Sequence, residues 1–352
     1  MSTNSSTTVL VTGGSGFIGS YVILALLAAG YTVRTTVRNL SREASIRTAL
    51  KNGGATASDL ERLSFVAATL DNDDGWAEAV QDCTYVHHVA SPFPAELPKH
   101  EDDLIIPARE GTLRVLKAAA AASVKRVVLT SSFTAVGYGH APRKTPFTEE
   151  DWSVVDDKGI KVTPYTKSKT MAERAAWTFI TSDANSGKME LVTIIPMVVA
   201  GPTLEKDISS SLLIIKKLMD GSVPGCPNLN FSFVDVRDVA SLHLLAMTEA
   251  EAANQRFIAA NSDSAVSMLQ IGKIIKAKRP QNAKKVPSFQ VPNFVVHTLA
   301  LFDKPVRQVL PDLGRVLRAS NQKACATFGW KPRSTESSVL DTVDSLVEYG
   351  LV

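Results

Sequence analysis

Thr8-Val9-Leu10-Val11-Thr12-Gly13-Gly14-Ser15-Gly16-Phe17-Ile18-Gly19 runs from a β-branched stretch, through glycines three residues apart, into the apolar segment Val22 to Ala29. A strand that enters a helix this way leaves bare backbone N–H groups at the helix N-terminus, where the helix dipole favours a pyrophosphate. Gly13 can make the tight turn, Gly16 can admit phosphate against the backbone, and Gly19 can let the helix pack closely. Phe17 and Ile18 open the helix and join Gly13, Gly16 and Gly19 as candidate dinucleotide contacts.

Outward from this motif the same rhythm repeats. Candidate strands at 8–12, 31–37, 63–68, 84–90, 126–131 and 189–195 alternate with helical patterns at 17–29, 42–51, 74–81, 104–122 and 165–182. That order predicts an α/β fold with a doubly wound parallel sheet. After Pro196 the rhythm breaks, and only FSFV (231–234) and RFIAA (256–260) remain sheet-like. The expected division is a dinucleotide-binding domain of residues 1–196 plus 231–261, with a smaller, discontinuous C-terminal substrate-binding domain of 197–230 plus 262–352. The stretch 133–163 is too long for an ordinary connection and reads as a lid or binding loop.

With 45% hydrophobic and 21% charged residues, the 352-residue chain carries enough apolar content for a sizeable core, which excludes disordered and fibrous classes. Thirty-eight basic against 35 acidic residues leave a net charge of +3, too small and scattered to suggest nucleic acid or a membrane surface. Cys83, Cys226 and Cys325 lie far apart and form neither a disulfide framework nor a metal motif. No apolar run approaches the roughly 18–20 residues a bilayer crossing needs, and residues 1–7 lack the pattern of a signal peptide. A cytoplasmic protein is expected.

The end of the second strand, Thr36-Val37-Arg38-Asn39, discriminates the cofactor. A carboxylate there bonds an NAD ribose, whereas a guanidinium accepts a 2′-phosphate. No Asp or Glu precedes Glu43, so NADP(H) is favoured. Arg38 is the best-placed phosphate contact, with Arg42 a possible second and Arg34 also near this edge. Further along, Tyr165 and Lys169 stand one helical turn apart and share a face. Thr130-Ser131-Ser132 closes a parallel strand at the sheet edge where ligands bind. A phenol, with an ordinary pKa of about 10, transfers protons poorly at neutral pH unless a cation stabilises its anion; Lys169 can supply that charge. A hydroxyl from Ser132 can hold a carbonyl and its developing oxyanion.

The motifs VLVTGGSGFIGS (9–20), YTVRTTVR (31–38), VHHVASPF (86–93), VVLTSS (127–132), YTKSKTMAE (165–173), IIPMVVAGP (194–202) and FVDVRDVA (233–240) span nearly the whole chain. In them the sequence resembles the extended short-chain dehydrogenase/reductases, and within these the group of plant dihydroflavonol and cinnamoyl-CoA reductases and yeast aldehyde and methylglyoxal reductases. The resemblance implies a Rossmann sheet, NADPH-dependent carbonyl reduction, and Ser132, Tyr165 and Lys169 as the catalytic triad, with Ser131 the neighbouring alternative. It further implies that Lys169 bonds the nicotinamide ribose, that Leu70, Val89, Ala90 and Ser91 line the cofactor trough, and that Pro196 and Val199 border the nicotinamide. Two positions depart from the pattern. Thr69-Leu70 replaces the Asp-Leu that meets adenine in relatives, and Gly137 stands where flavonoid reductases carry Asn, which argues against a dihydroflavonol substrate.

Phe93, Phe133, Tyr138, Pro202 and the segment 204–219 are the candidates for an apolar substrate pocket. His87 and His88 are adjacent on a strand and face opposite sides, which suits core packing rather than a metal. Asp235, Arg237 and Asp238 read as capping and packing, and Lys276 to Lys285 as a solvated face. No segment stands out as an obligate interface, which leaves monomer and homodimer open. The rival readings are a nucleotide-sugar epimerase or dehydratase, a hydroxysteroid dehydrogenase, and a non-catalytic NADP sensor.

Overall fold

The computed structural model describes residues 4–92, 100–156 and 160–352. Its strands are β1 (Thr8–Thr12), β2 (Thr32–Val37), β3 (Leu63–Ala67), β4 (Cys83–His88), β5 (Arg126–Thr130), β6 (Glu190–Pro196), β7 (Val198–Ala200), β8 (Asn230–Phe231), β9 (Phe233–Asp235), β10 (Arg256–Ala259) and β11 (Val266–Ser267). Seven of them form one parallel sheet in the order β10-β6-β5-β4-β1-β2-β3. Alternation along β1 supplies both faces. Val9 and Val11 enter a core with the helices Phe17–Ala28 and Val236–Thr248, while Leu10 enters the opposite core with Asp102–Ala121 and Pro164–Ile180. All three side chains are fully buried.

The strand order runs outward in both directions from β1 and β4, so a crevice opens beyond their carboxyl ends. Thr12 holds the two ends together. Its hydroxyl oxygen accepts from the backbone N–H groups of Val89 (3.1 Å) and Ala90 (3.0 Å) and lies 2.8 Å from His88 Nδ1. With two bonds accepted, the hydroxyl proton goes to Nδ1, which makes His88 a neutral imidazole protonated at Nε2. On the other face, His87 Nδ1 lies 3.2 Å from His243 Nδ1 and its Nε2 lies 3.3 Å from Met247 Sδ. Both histidines are thus core groups, and among the described residues no cluster of three His, Cys, Asp or Glu could hold a metal. No helix among the described residues is long and apolar enough to cross a membrane.

A separate apolar cluster, including Ile215, Phe233, Ile271, Ile275, Val339 and Leu346, gathers the helices Leu213–Asp220, Met268–Lys278 and Thr335–Glu348. The helix Gln322–Phe328 instead returns to the sheet, where Ala324 and Trp330 join the β1 core. The single strand expected over 231–234 is split. Phe231 ends β8, antiparallel to β11, while Phe233 begins β9, parallel to β7. Ser232 between them turns its hydroxyl to the Leu317 carbonyl (3.1 Å). RFIAA supplies β10, the seventh strand at the β6 edge. The helix expected at 74–81 shortens to Trp76–Val80, because Gly75 sits at φ +78° with Ala67 O only 2.0 Å from where a Cβ would lie. A short helix, Ala57–Glu61, is additional and is set by a capping box between Thr56 and Asp59. In the long connection, the described residues are tied down by Ser153 N–H to Ala135 O (2.9 Å) and by a fork between Arg143 and Asp151 (2.9 and 2.7 Å).

Burial drops the pKa of His87 and His88 from 6.5 to about 3. Below pH 6.5 the unfolded chain therefore takes up protons that the folded chain refuses, and stability is lost as the pH falls toward about 3, by roughly 1.4 kcal/mol per pH unit for each imidazole. Urea unfolding between pH 7 and pH 5 should show this decline, with a shallower slope in His88→Gln. Parallel slopes would contradict the assignment.

Candidate active site

The first turn of the helix Phe17–Ala28 has no side-chain cap at Gly16, so the amides that open it are left for a ligand or water. Gly13 in the loop before it and Gly19 in its first turn leave no room for a side chain. Gly13 is at φ +71°, and a Cβ there would stand 2.9 Å from Ala90 Cα, while one on Gly19 would stand 2.3 Å from Gly13 O. Gly16 by contrast is exposed. The result is a tight cradle with an open side, and its residues fit a pyrophosphate.

Arg38 lies just past β2, exposed and without a hydrogen bond or ion pair among the described residues. Arg34 does not share that position. It stops the helix Trp76–Val80 by donating to the carbonyls of Glu78 (3.0 Å), Ala79 (3.1 Å) and Gln81 (2.6 Å), which corrects its reading as a phosphate candidate. Arg42 is exposed and stands 3.9 Å from Asp207. Thr69 gives its carbonyl to Trp76 Nε1 (2.9 Å), and Leu70 packs on Gly111, where a Cβ would meet Leu70 Cβ at 2.9 Å.

A cavity of about 460 Å³ adjoins the cradle, and Phe17, Ile18, Val89, Pro196 and Val199 form one side of it. Ser132, Tyr165 and Lys169 reach the same space from the end of β5 and from the helix Pro164–Ile180. That helix starts sharply, with Pro164 in its first turn and Thr163 Oγ1 accepting from the Thr166 N–H (3.2 Å). Lys169 Nζ donates to Ser91 Oγ (2.9 Å) and stands 5.7 Å from the centre of the Tyr165 ring.

One further turn along lies Glu173, a buried carboxylate that sequence reading missed. It accepts from Ser131 Oγ (2.5 Å), Arg256 Nε (2.8 Å), Thr193 Oγ1 (3.1 Å) and Trp177 Nε1 (3.3 Å). The 165, 169, 173 spacing is its only trace in the sequence. This bond commits the Ser131 hydroxyl to the core. Ser132 Oγ instead accepts from the Thr134 N–H (3.3 Å) and Thr134 Oγ1 (3.0 Å), which leaves its own proton to donate.

Of the substrate-pocket candidates, Phe133 and Tyr138 line the cavity, as do Ser209 and Ile214 of the 204–219 segment. Pro202 does not. Its carbonyl accepts from Tyr21 OH (2.9 Å), which turns it toward the first helix. Phe93 lies outside the described residues. At Gly137 a Cβ would stand 2.4 Å from the Phe133 ring, so Phe133 fills the room an Asn would need.

Residues 9–260 match the NAD dependent epimerase/dehydratase family. The chain belongs to this family, the extended short-chain dehydrogenase/reductases. Cinnamoyl-CoA reductase CAD2 of Medicago truncatula is 34% identical over 351 residues, covering 99% of this chain and 98% of that protein. Ketoreductase azaE of Aspergillus niger is 32% identical over 361 residues, covering 97% and 98%. Among solved structures, the yeast methylglyoxal/isovaleraldehyde reductase Gre2 complexed with NADPH aligns with a TM-score of 0.78 at 26% identity, over 98% of this chain and 100% of that one. With reductases as its full-length relatives, the chain is an oxidoreductase of the family.

The two serines should separate in stability. Ser131→Ala withdraws a donor from buried Glu173 and should cost about 1–3 kcal/mol in urea unfolding without ligand, whereas Ser132→Ala at the cavity wall should cost about 0.5 kcal/mol or less. Equal losses would contradict this division.

Proposed function

We propose that the protein is an NADP(H)-dependent carbonyl reductase that converts an aldehyde or ketone to the alcohol. The observation that carries this reading is the meeting of an uncommitted Ser132 proton, the Tyr165 phenol and the Lys169 ammonium on one cavity beside the glycine cradle. When bound, the nicotinamide supplies hydride to the carbonyl carbon. Tyr165 donates its phenolic proton to the carbonyl oxygen, and Lys169, close to the ring, stabilises the negative charge that this leaves. Ser132 donates a hydrogen bond that orients the oxygen and meets its developing charge.

The remaining residues take the roles that the resemblance implies, and their places are consistent with those roles. The amides from Gly13 to Gly19 receive the pyrophosphate, with Phe17 and Ile18 at its edge. Leu70, Val89, Ala90 and Ser91 form the trough, Ser91 also positions Lys169 for the ribose, and Pro196 and Val199 border the nicotinamide. Arg38 receives the adenosine 2′-phosphate, for which an exposed guanidinium without a protein partner is suited. Residues 197–230 and 262–352 supply the substrate-binding part, and three dispersed free cysteines suit a reducing, cytoplasmic setting. An epimerase that retains NAD would favour an acidic residue where Arg38 stands. A sensor would have no use for Ser132, Tyr165 and Lys169 together.

Tyr165→Phe should retain NADPH binding by fluorescence titration while turnover falls by about 100-fold or more; unimpaired turnover would reject the role of the phenol. Arg38→Ala should weaken NADPH by about 10- to 100-fold with little effect on NADH, and equal effects on both would reject the phosphate contact.

A further inference from the structure

The stretch 309–317, which supplies Val309, Asp312, Arg315 and Leu317 to the cavity wall, carries two charged groups that the reaction does not use. Asp312 Oδ1 is buried and has no hydrogen-bond partner among the described residues. Arg315, three residues on, holds its guanidinium 5.8 Å from the Tyr138 ring centre, makes no hydrogen bond or ion pair among the described residues, and does not close on Asp312. Their backbone is pinned: Arg315 N–H donates to Asp312 O (3.1 Å), and the Arg315 carbonyl accepts from Asn230 Nδ2 (3.1 Å). Both side chains line the same cavity as Ser132 and Tyr165, with apolar Phe133, Ile214, Phe231 and Leu317 also in its wall. Burial raises the carboxyl pKa of Asp312, and Arg315 opposes that shift.

A buried carboxylate oxygen without a donor is costly, and a native structure keeps one where something else supplies the proton. We propose that Asp312 and Arg315 form a subsite for an uncharged hydroxyl on the substrate, separate from the carbonyl that is reduced; this rests on the carbonyl-reductase reading above. Charge selects the group. An ammonium would be drawn to Asp312 but repelled by Arg315 and Lys169 in the same cavity, and a carboxylate would meet the opposite conflict. A neutral hydroxyl donates to Asp312 Oδ1 and accepts from Arg315 at once. The substrate class is therefore a carbonyl compound with an apolar body and a second, uncharged hydroxyl group.

A matched pair tests this: 4-(4-hydroxyphenyl)butan-2-one and 4-phenylbutan-2-one, which differ only in that hydroxyl. With NADPH, the unaltered protein should favour the hydroxylated ketone about tenfold, through KM rather than kcat. In Asp312→Ala the preference should fall to about unity, and Asp312→Asn, which keeps an acceptor oxygen, should retain part of it. Calorimetric titration of both ketones into the NADP⁺-loaded protein gives the same comparison without turnover. If neither ketone is reduced, the reductase reading fails while the binding ratio still decides the subsite. A preference that persists in Asp312→Ala, or no preference or no binding in the unaltered protein, would overturn the subsite, as when water alone serves Asp312.

Discussion

The bond that the site depends on is the one made by the Thr12 hydroxyl, which gathers the amides of Val89 and Ala90 and the ring of His88 at the point where the strand order reverses. It fixes the spacing between the ends of β1 and β4. Because Ala90 is drawn in, the turn at Gly13 has no room for a Cβ, and the chain after β4 delivers Ser91 to Lys169. The cradle and Lys169 are thereby referenced to one hydroxyl. A sheet joined less tightly here would leave the glycine cradle and Lys169 free to drift apart, and the proposed hydride transfer would tolerate little misplacement.

Around that joint the protein sorts its polar groups by whether they are committed. Behind the strands, Glu173 is held by four donors, from β6, β10, the residue after β5 and its own helix, and Arg126 reaches the carbonyls that end the helix Val236–Thr248 and the Glu190 carboxylate. These groups brace the scaffold. At the cavity Ser132 keeps a proton to give and Asp312 an oxygen without a donor, and just past β2 Arg38 is exposed, the last two without a partner among the described residues. Saturated networks rigidify a structure, whereas unsatisfied groups at a cavity mark where a ligand completes the bonding.

Much of this was legible because it is local in sequence. The strand, glycine turn and helix of residues 8–28 are contiguous, Tyr165 and Lys169 are separated by one helical turn, and the absence of acid before Glu43 points to the charge at the end of β2. What escaped reading depends on contacts across the sheet. Nothing in Thr130-Ser131-Ser132 says which hydroxyl faces inward until Glu173 is brought beneath β5. Arg34 and Arg38 are alike in sequence, and only the carbonyls at the end of the helix Trp76–Val80 distinguish them. Pro202 belongs to a resembling motif, yet Tyr21, 181 residues away, claims its carbonyl. Asp312 and Arg315 lie in a segment with no periodic signal, and their significance is visible only from the cavity.

The function proposed for the crevice at the β1–β4 junction is direct hydride transfer to a carbonyl carbon. It is tested most directly by reducing a ketone substrate with NADPH deuterated at one or the other C4 position and examining the alcohol by NMR. Deuterium is expected on the carbinol carbon from one of the two labelled forms and not from the other. A carbinol that carries no deuterium from either form would contradict it.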